Sequence, residues 1–81
     1  MKAWMEPRLV IEVNDEIVKA LGKWGDIDCL PGEMVNAVTE ELLEVVHAVN
    51  HREPVEKIHH EIVQAIGVLV RLDHMVKEGG D

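Results

Sequence analysis

The sequence predicts an all-α protein, a short bundle of three main helices whose core is completed by oligomerisation. Apolar residues recur every three or four positions along three stretches, and proline and glycine separate these stretches. The chain has 81 residues and is 47% hydrophobic, but it has no Phe or Tyr and only two Trp. We therefore expect a single domain, residues 1–81, that is too small to bury a large core alone. A homo-oligomer, dimer or tetramer, is the expected assembly.

The first helix is predicted from Pro7 to about Leu21. Proline suits the first turn of a helix. The continuing spacing through Leu21 favours a helix over a strand, although valine and isoleucine are frequent. The apolar positions with this spacing are Leu9, Val10, Val13, Ile17, Val18 and Leu21. We expect the helix to end at Gly22 or Gly25, before a turn-rich loop over residues 25–32.

The second helix is predicted from about Glu33, or already from Pro31, to Asn50. The third is predicted from about Pro54 to Lys77, with the glycine pair that follows as its stop signal. Because the connection between these two helices is short, we expect them to be antiparallel neighbours.

The charge and the single cysteine limit the possible partners. The formal net charge of −8 repels a phosphate backbone, so no nucleic-acid binding is expected. Cys29 cannot form an internal disulfide, and we interpret it as a small apolar residue in a reducing compartment. No stretch has the form of a signal peptide, and no apolar run approaches ~20 residues. These features predict a cytoplasmic protein without a membrane partner.

Two Glu-x-x-(Glu or Gln) pairs lie on the second and third helices. Residues three apart share a helix face, so Glu41 pairs with Glu44, and Glu61 pairs with Gln64. A helical wheel places Glu41 and Glu61 on the flanks of the apolar arcs, where a carboxylate is costly unless it is paired or bound to a metal. Since the two helices are antiparallel, both pairs are expected at similar heights on facing helices. The four side chains are therefore predicted to meet.

This set of oxygen donors suits Mg²⁺, with Mn²⁺ as an alternative, because both ions take carboxylates, waters and substrate phosphates as ligands. The expected chemistry is hydrolysis of a phosphoric anhydride, in which metal ions neutralise the triphosphate and lower the pKa of water. The predicted catalytic and metal-binding residues are Glu41, Glu44 and Glu61, with Gln64 as a further metal ligand. One of the glutamates would also act as the general base.

The motifs at residues 40–44 and 61–64, sixteen residues apart, resemble the Glu-x-x-Glu and Glu-x-x-Asp signature of the MazG-like all-α nucleotide pyrophosphohydrolases. The resemblance covers about residues 9–76. It implies a magnesium-dependent, usually oligomeric enzyme that converts a nucleoside triphosphate to a monophosphate and pyrophosphate. The residues that match the metal-ligand positions of the family are Glu41, Glu44 and Glu61. Gln64 stands where the family usually has Asp and offers one neutral oxygen in place of an anion.

Two residues are predicted to contact the nucleotide. Lys57 lies one turn before Glu61 and would reach a phosphate, or would otherwise be an exposed salt-bridge partner. Trp24 follows the first apolar stretch and would stack on a base, or would otherwise cap the bundle core. Arg71, beyond Glu61 on the more polar side of its helix, would be a further phosphate contact, but we favour its interpretation as a solvent-exposed salt-bridge partner.

Two other classes of function stay open. A non-catalytic helical oligomerisation or nucleotide-binding module would use the aliphatic stripes as a dimer core and the glutamates for solubility. A His/Glu transition-metal-binding bundle would use His47 with His51, or the Glu-x-x-His pairs that begin at Glu44 and Glu56. Because Glu56 and His47 fall on the polar sides of their helices, exposed histidines are the favoured interpretation.

Overall fold

A computed structural model describes residues 4–24 and 31–78 of the chain and confirms the all-α class. These two ranges form three helices and no strand. The helices are α1 (Pro7–Trp24), α2 (Pro31–Asn50) and α3 (Val55–Lys77). Within the described ranges no helix combines the length and the apolar character needed to cross a bilayer.

The helix boundaries follow the sequence signals closely. α1 continues through Gly22 and ends directly before Gly25, the second of the two predicted stops. α2 begins at Pro31, the earlier of its two predicted starts. The predicted loop, with Cys29, and the glycine pair after α3 lie outside the described residues.

The connection between α2 and α3 is closed by hydrogen bonds typical of a helix C-terminus. The backbone N–H of Glu53 donates to the carbonyl of Ala48 at 3.0 Å, and the N–H of Arg52 donates to the carbonyl of Val49 at 3.1 Å. This pair of bonds is the Schellman motif, which places one residue in the left-handed region. Arg52 takes that conformation, with φ of 52°. The chain then reverses, and Pro54 caps the start of α3.

α3 is the central helix of the bundle. α1 and α2 each pack against α3, and within the described residues the backbones of α1 and α2 do not approach each other. The buried apolar side chains are Val13 on α1, Met34, Val38 and Ala48 on α2, and Val63 and Ala65 on α3. α1 crosses α3 closely at Gly67, where an added Cβ would lie 3.5 Å from Cγ1 of Ile17. The arrangement leaves a cleft with α1 and α2 as walls and α3 as floor.

The apolar arc of α2 is wider than the face that α3 covers. Met34 and Val38 are buried, whereas Val35, Leu42 and Val49 are each about half exposed. On a helical wheel all five fall in one apolar arc, and the fold divides that arc into a buried part and an exposed part.

A candidate metal centre between α2 and α3

Three carboxylates converge where α2 faces α3. Glu41 and Glu44 lie one turn apart on α2, and Glu61 comes from α3. One carboxylate oxygen of each residue lies within 4.8 Å of the other two. The antiparallel packing produces this convergence, because both motifs lie at a similar distance from the short connection. Glu44 is exposed, and the other two residues are only partly exposed.

Each of the two partly buried carboxylates has one buried oxygen without a hydrogen-bond partner among the described residues. These atoms are Oε2 of Glu41 and Oε2 of Glu61. Burial of a charged oxygen without a partner costs free energy. These two atoms are therefore well placed to gain from a bound cation.

The same environment raises the pKa of both residues. Burial raises the pKa of Glu41 most, and the negative charges of Glu44, Glu61 and more distant glutamates raise it further. Burial also raises the pKa of Glu61, followed by a hydrogen bond with the side chain of Glu44 and by the charge of Glu44. His60 and Lys57 act in the opposite direction on Glu61. Repulsion among like charges is thus built into the site when no cation is present.

Gln64, the fourth predicted residue, is held by a side chain from α1. Its Nε2 donates a hydrogen bond to Oε1 of Glu16 at 3.3 Å, which leaves the carbonyl oxygen of the amide available for another partner. The charge of Glu16 also raises the pKa of Glu41. Sequence reasoning did not include Glu16 in the site. Its position on a helical wheel, at the flank of the apolar arc of α1, is the same signal that identified Glu41.

The cleft between α1 and α2 borders the carboxylate cluster. Its volume is about 640 Å³, and Glu41 lies on its wall. Met34 and Val68 supply apolar surface. Lys19 and Arg71 supply positive charge, and four glutamates of the lining outnumber them, Glu16, Glu33, Glu40 and Glu41. The interpretation of Arg71 as a solvent-exposed residue needs correction, because this side chain is only partly exposed and lines the cleft. It lies seven residues after Gln64, so two helical turns bring it to the same face.

Lys57, one of the two predicted substrate contacts, lies outside this cleft. Lys57 borders a separate depression of about 450 Å³ together with Glu44 and Glu61. Its Nζ lies 3.8 Å from Oε1 of Glu53. Lys57 thus forms the exposed salt bridge that the sequence analysis gave as the alternative to a phosphate contact. The side chain of Trp24 lies outside the described part of the structure.

Three of the five histidines make local contacts at the surface. The rings of His47 and His51 stack with centroids 3.9 Å apart, and Nδ1 of His51 lies 2.9 Å from the carbonyl oxygen of His47. His59 pairs with Glu12 of α1 at 2.8 Å. Among the described residues, the one group of three potential metal ligands is the glutamate cluster, which contains no histidine.

Comparison with known proteins identifies no relative of this chain. No protein-family model matches it, and no curated protein or solved structure is significantly similar to it. The fold and the site are those of a small all-α protein with three carboxylates close enough together to hold a metal ion. The likeness to the MazG-like enzymes rests on the sequence motif alone.

Proposed function

We propose that the chain is a Mg²⁺-dependent nucleoside triphosphate pyrophosphohydrolase, which converts a nucleoside triphosphate to a monophosphate and pyrophosphate. One observation carries the proposal: Glu41, Glu44 and Glu61 converge from two helices, and two of their oxygens are buried without a hydrogen-bond partner. The motif that resembles the MazG-like enzymes contains these same three residues. The resemblance implies hydrolysis of a nucleoside triphosphate at the place where they converge.

The spacing of the three carboxylates fits a divalent cation. Oxygen ligands lie about 2.1 Å from Mg²⁺, so opposite ligands of one ion are about 4.2 Å apart. The three oxygens lie within 4.8 Å of one another. At least two of the three pairs must be adjacent ligands of an octahedral ion, about 3.0 Å apart, so side-chain shifts of up to about 2 Å would bring all three onto one ion. The carbonyl oxygen of Gln64 would complete the protein ligands, since Glu16 engages only the amide nitrogen.

A bound Mg²⁺ would offset the charge of the phosphates and lower the pKa of water, which is the chemistry that hydrolysis of a phosphoric anhydride needs. One of the three glutamates would also act as the general base, because a carboxylate beside the ion can reach a water held there. The side chain of the base would accept the proton of the attacking water.

The cleft offers a place for the nucleotide beside the carboxylates. Met34 and Val68 present an apolar surface of the kind on which a base packs, and Lys19 and Arg71 present charges that attract phosphates. The lining of the cleft is acidic, because four glutamates outnumber Lys19 and Arg71. Admission of an anionic substrate would therefore depend on bound divalent cations that offset this charge.

The test is release of pyrophosphate from a panel of nucleoside triphosphates with Mg²⁺. The wild type should release pyrophosphate, and Glu41→Gln, Glu44→Gln and Glu61→Gln should each reduce the rate by at least about tenfold, a loss of about 1.4 kcal/mol of transition-state stabilisation. The matched control is Glu56→Gln, which removes one exposed charge from α3 and should leave the rate unchanged.

Two outcomes would contradict the proposal. Absence of turnover across the panel, despite metal binding, would favour the non-catalytic nucleotide-binding module. Turnover that survives all three glutamate substitutions would place the chemistry elsewhere in the chain.

A further inference from the structure

The carboxylate cluster lies between two cavities. On α2 the cleft is lined by residues within 33–41, and the depression beside Lys57 is lined by residues within 43–48. Toward and along α3 the depression is lined by residues within 53–61, and the cleft is lined by residues within 64–71. Both boundaries fall at the cluster, because Glu41 borders the cleft whereas Glu44 and Glu61 border the depression. A ligand held at its centre by the cluster would therefore extend into both cavities.

The two cavities differ in size and in chemistry. The cleft, of about 640 Å³, presents the apolar side chains of Met34 and Val68. The depression, of about 450 Å³, is lined mainly by charged or polar side chains, which are Glu44, His47, Glu53, Lys57 and Glu61. A nucleoside triphosphate is divided in the same way, since its base and sugar carry apolar surface and its β- and γ-phosphates are wholly polar. The larger cavity thus suits the nucleoside, and the smaller one suits the outer phosphates.

His47 and Lys57 supply hydrogen-bond donors to the depression. His47 lies one turn beyond Glu44 on α2, and Lys57 lies one turn before Glu61 on α3. Because the two helices are antiparallel, both side chains are displaced from the cluster in the same direction, toward the connection between the helices. An imidazole N–H and an ammonium group both donate hydrogen bonds to phosphate oxygens.

The contacts of these two side chains leave them accessible to a phosphate. Nζ of Lys57 lies 3.8 Å from Oε1 of Glu53 and the side chain is 57% exposed, so this ion pair is weak. The charge of Lys57 also opposes the rise in the pKa of Glu61, so it acts on the cluster. The ring of His47 stacks on that of His51, while Nδ1 of His51 contacts the backbone of His47 rather than its ring.

The lining of the depression is acidic, because Glu44, Glu53 and Glu61 outnumber Lys57. Glu44 and Glu61 belong to the carboxylate cluster, where bound divalent cations would offset their charge. The remaining negative charge is that of Glu53, which Lys57 already faces. Outer phosphates are therefore expected to enter the depression together with Mg²⁺.

We propose that the depression receives the β- and γ-phosphates of the substrate, with His47 and Lys57 as their hydrogen-bond donors, while the cleft receives the nucleoside and the α-phosphate. This inference rests on the proposed pyrophosphohydrolase function and assigns the direction in which the substrate lies. Hydrolysis breaks the bond between the α-phosphorus and the oxygen that bridges it to the β-phosphorus. That oxygen leaves with the electron pair as part of pyrophosphate, the oxygen of water joins the monophosphate, and the glutamate base takes the proton. His47 and Lys57 would offset the charge that builds up on the departing pyrophosphate.

The test is calorimetric titration of the full chain with pyrophosphate in the presence of Mg²⁺, a measurement that needs no turnover. The wild type should bind pyrophosphate, and Lys57→Gln and His47→Gln should each weaken binding by about tenfold, because each removes a donor to a charged group. Both side chains are exposed, so the variants should keep the helical circular dichroism of the wild type. The matched control is Lys77→Gln, which removes the lysine of another i,i+4 ion pair on α3, far beyond Glu61, and should leave the affinity unchanged.

Two further variants test the direction of the substrate. Arg71→Gln removes a positive charge from the cleft and should leave the affinity for pyrophosphate unchanged. Glu53→Gln should tighten the binding of pyrophosphate, because it removes a negative charge from the depression and releases Lys57.

Equal affinity of the wild type, Lys57→Gln and His47→Gln would overturn the proposal. Weaker binding by Arg71→Gln, or no binding of pyrophosphate by the wild type at millimolar Mg²⁺, would overturn it as well. Failure of the proposed function is a separate result. If no nucleoside triphosphate is hydrolysed, loss of pyrophosphate binding in Lys57→Gln and His47→Gln would still establish the depression as a site for pyrophosphate with Mg²⁺.

Discussion

Replacement of Glu41 by glutamine should stabilise the metal-free protein at neutral pH. At the 4.8 Å that bounds the separation of the three carboxylate oxygens, Coulomb's law gives a repulsion of about 0.9 kcal/mol per pair at the dielectric constant of water and about 3.5 kcal/mol at an effective value of 20. Because Glu44 is exposed, solvent screening favours the lower figure. We expect a total gain of about 1–2 kcal/mol, or roughly 4–8 °C in Tm for each kcal/mol.

The gain should depend on pH with a defined sign. Burial, and then the neighbouring charges, raise the pKa of Glu41 in the folded protein. The native state therefore binds a proton more readily than the unfolded state, and the wild type loses stability as the pH rises from the ordinary glutamate range through the raised pKa. Glutamine does not ionise, so the Glu41→Gln variant does not lose stability over this pH range. The difference in Tm between variant and wild type should be present at neutral pH and disappear toward acidic pH.

The assay is thermal unfolding followed by circular dichroism, in a chelator, over a pH series. Glu40→Gln is the matched control, because it removes an exposed charge from the adjacent position of the same helix. If Glu41→Gln is destabilising at neutral pH, or if its effect equals that of Glu40→Gln at every pH, the like-charge cluster is not a source of instability and the reasoning fails.

Three further variants test individual contacts by thermal unfolding and metal titration. Gly67→Ala should stabilise the fold by roughly 0.5–1 kcal/mol, because alanine favours a helix more than glycine does. The added Cβ would lie 3.5 Å from Ile17, which is an ordinary contact distance. A lower Tm for this variant would refute the prediction. Arg52→Gly should raise the Tm, because φ of 52° is strained for arginine, and a fall would contradict the assigned turn. Glu16→Ala should weaken Mn²⁺ binding several-fold by releasing Gln64; unchanged affinity would remove Gln64 from the ligand set.

The sequence predicts the helices well because their signals are local. The spacing of apolar residues, the prolines at positions 7, 31 and 54, and the short connection after Asn50 are sufficient for the class and the antiparallel pair. The position of α1 depends on which of its faces packs against α3. Gly67 has no side chain, and this allows the face of α1 that carries Ile17 to pack close to α3. No pattern within α1 alone predicts that α1 and α2 stand apart and leave a cleft between them.

The carboxylate cluster follows from spacing on two antiparallel helices, so Glu41, Glu44 and Glu61 could be placed together from the sequence. Glu16 could not be placed in the same way, because it reaches Gln64 from a helix whose orientation depends on tertiary packing. Arg71 was misjudged because polarity on a helical wheel does not show that the neighbouring helices leave a cleft along that face. The oligomeric state stays a prediction.

The central claim is that Glu41, Glu44 and Glu61 together hold a divalent cation. Titration with Mn²⁺, followed by the loss of its electron paramagnetic resonance signal on binding, tests this claim directly. The wild type should bind Mn²⁺ at a site from which Mg²⁺ displaces it, and the variant with all three glutamates changed to glutamine should lose that site. Binding of equal strength in the two proteins, or no binding by the wild type at millimolar Mn²⁺, well above the affinities of intracellular sites, would contradict the claim.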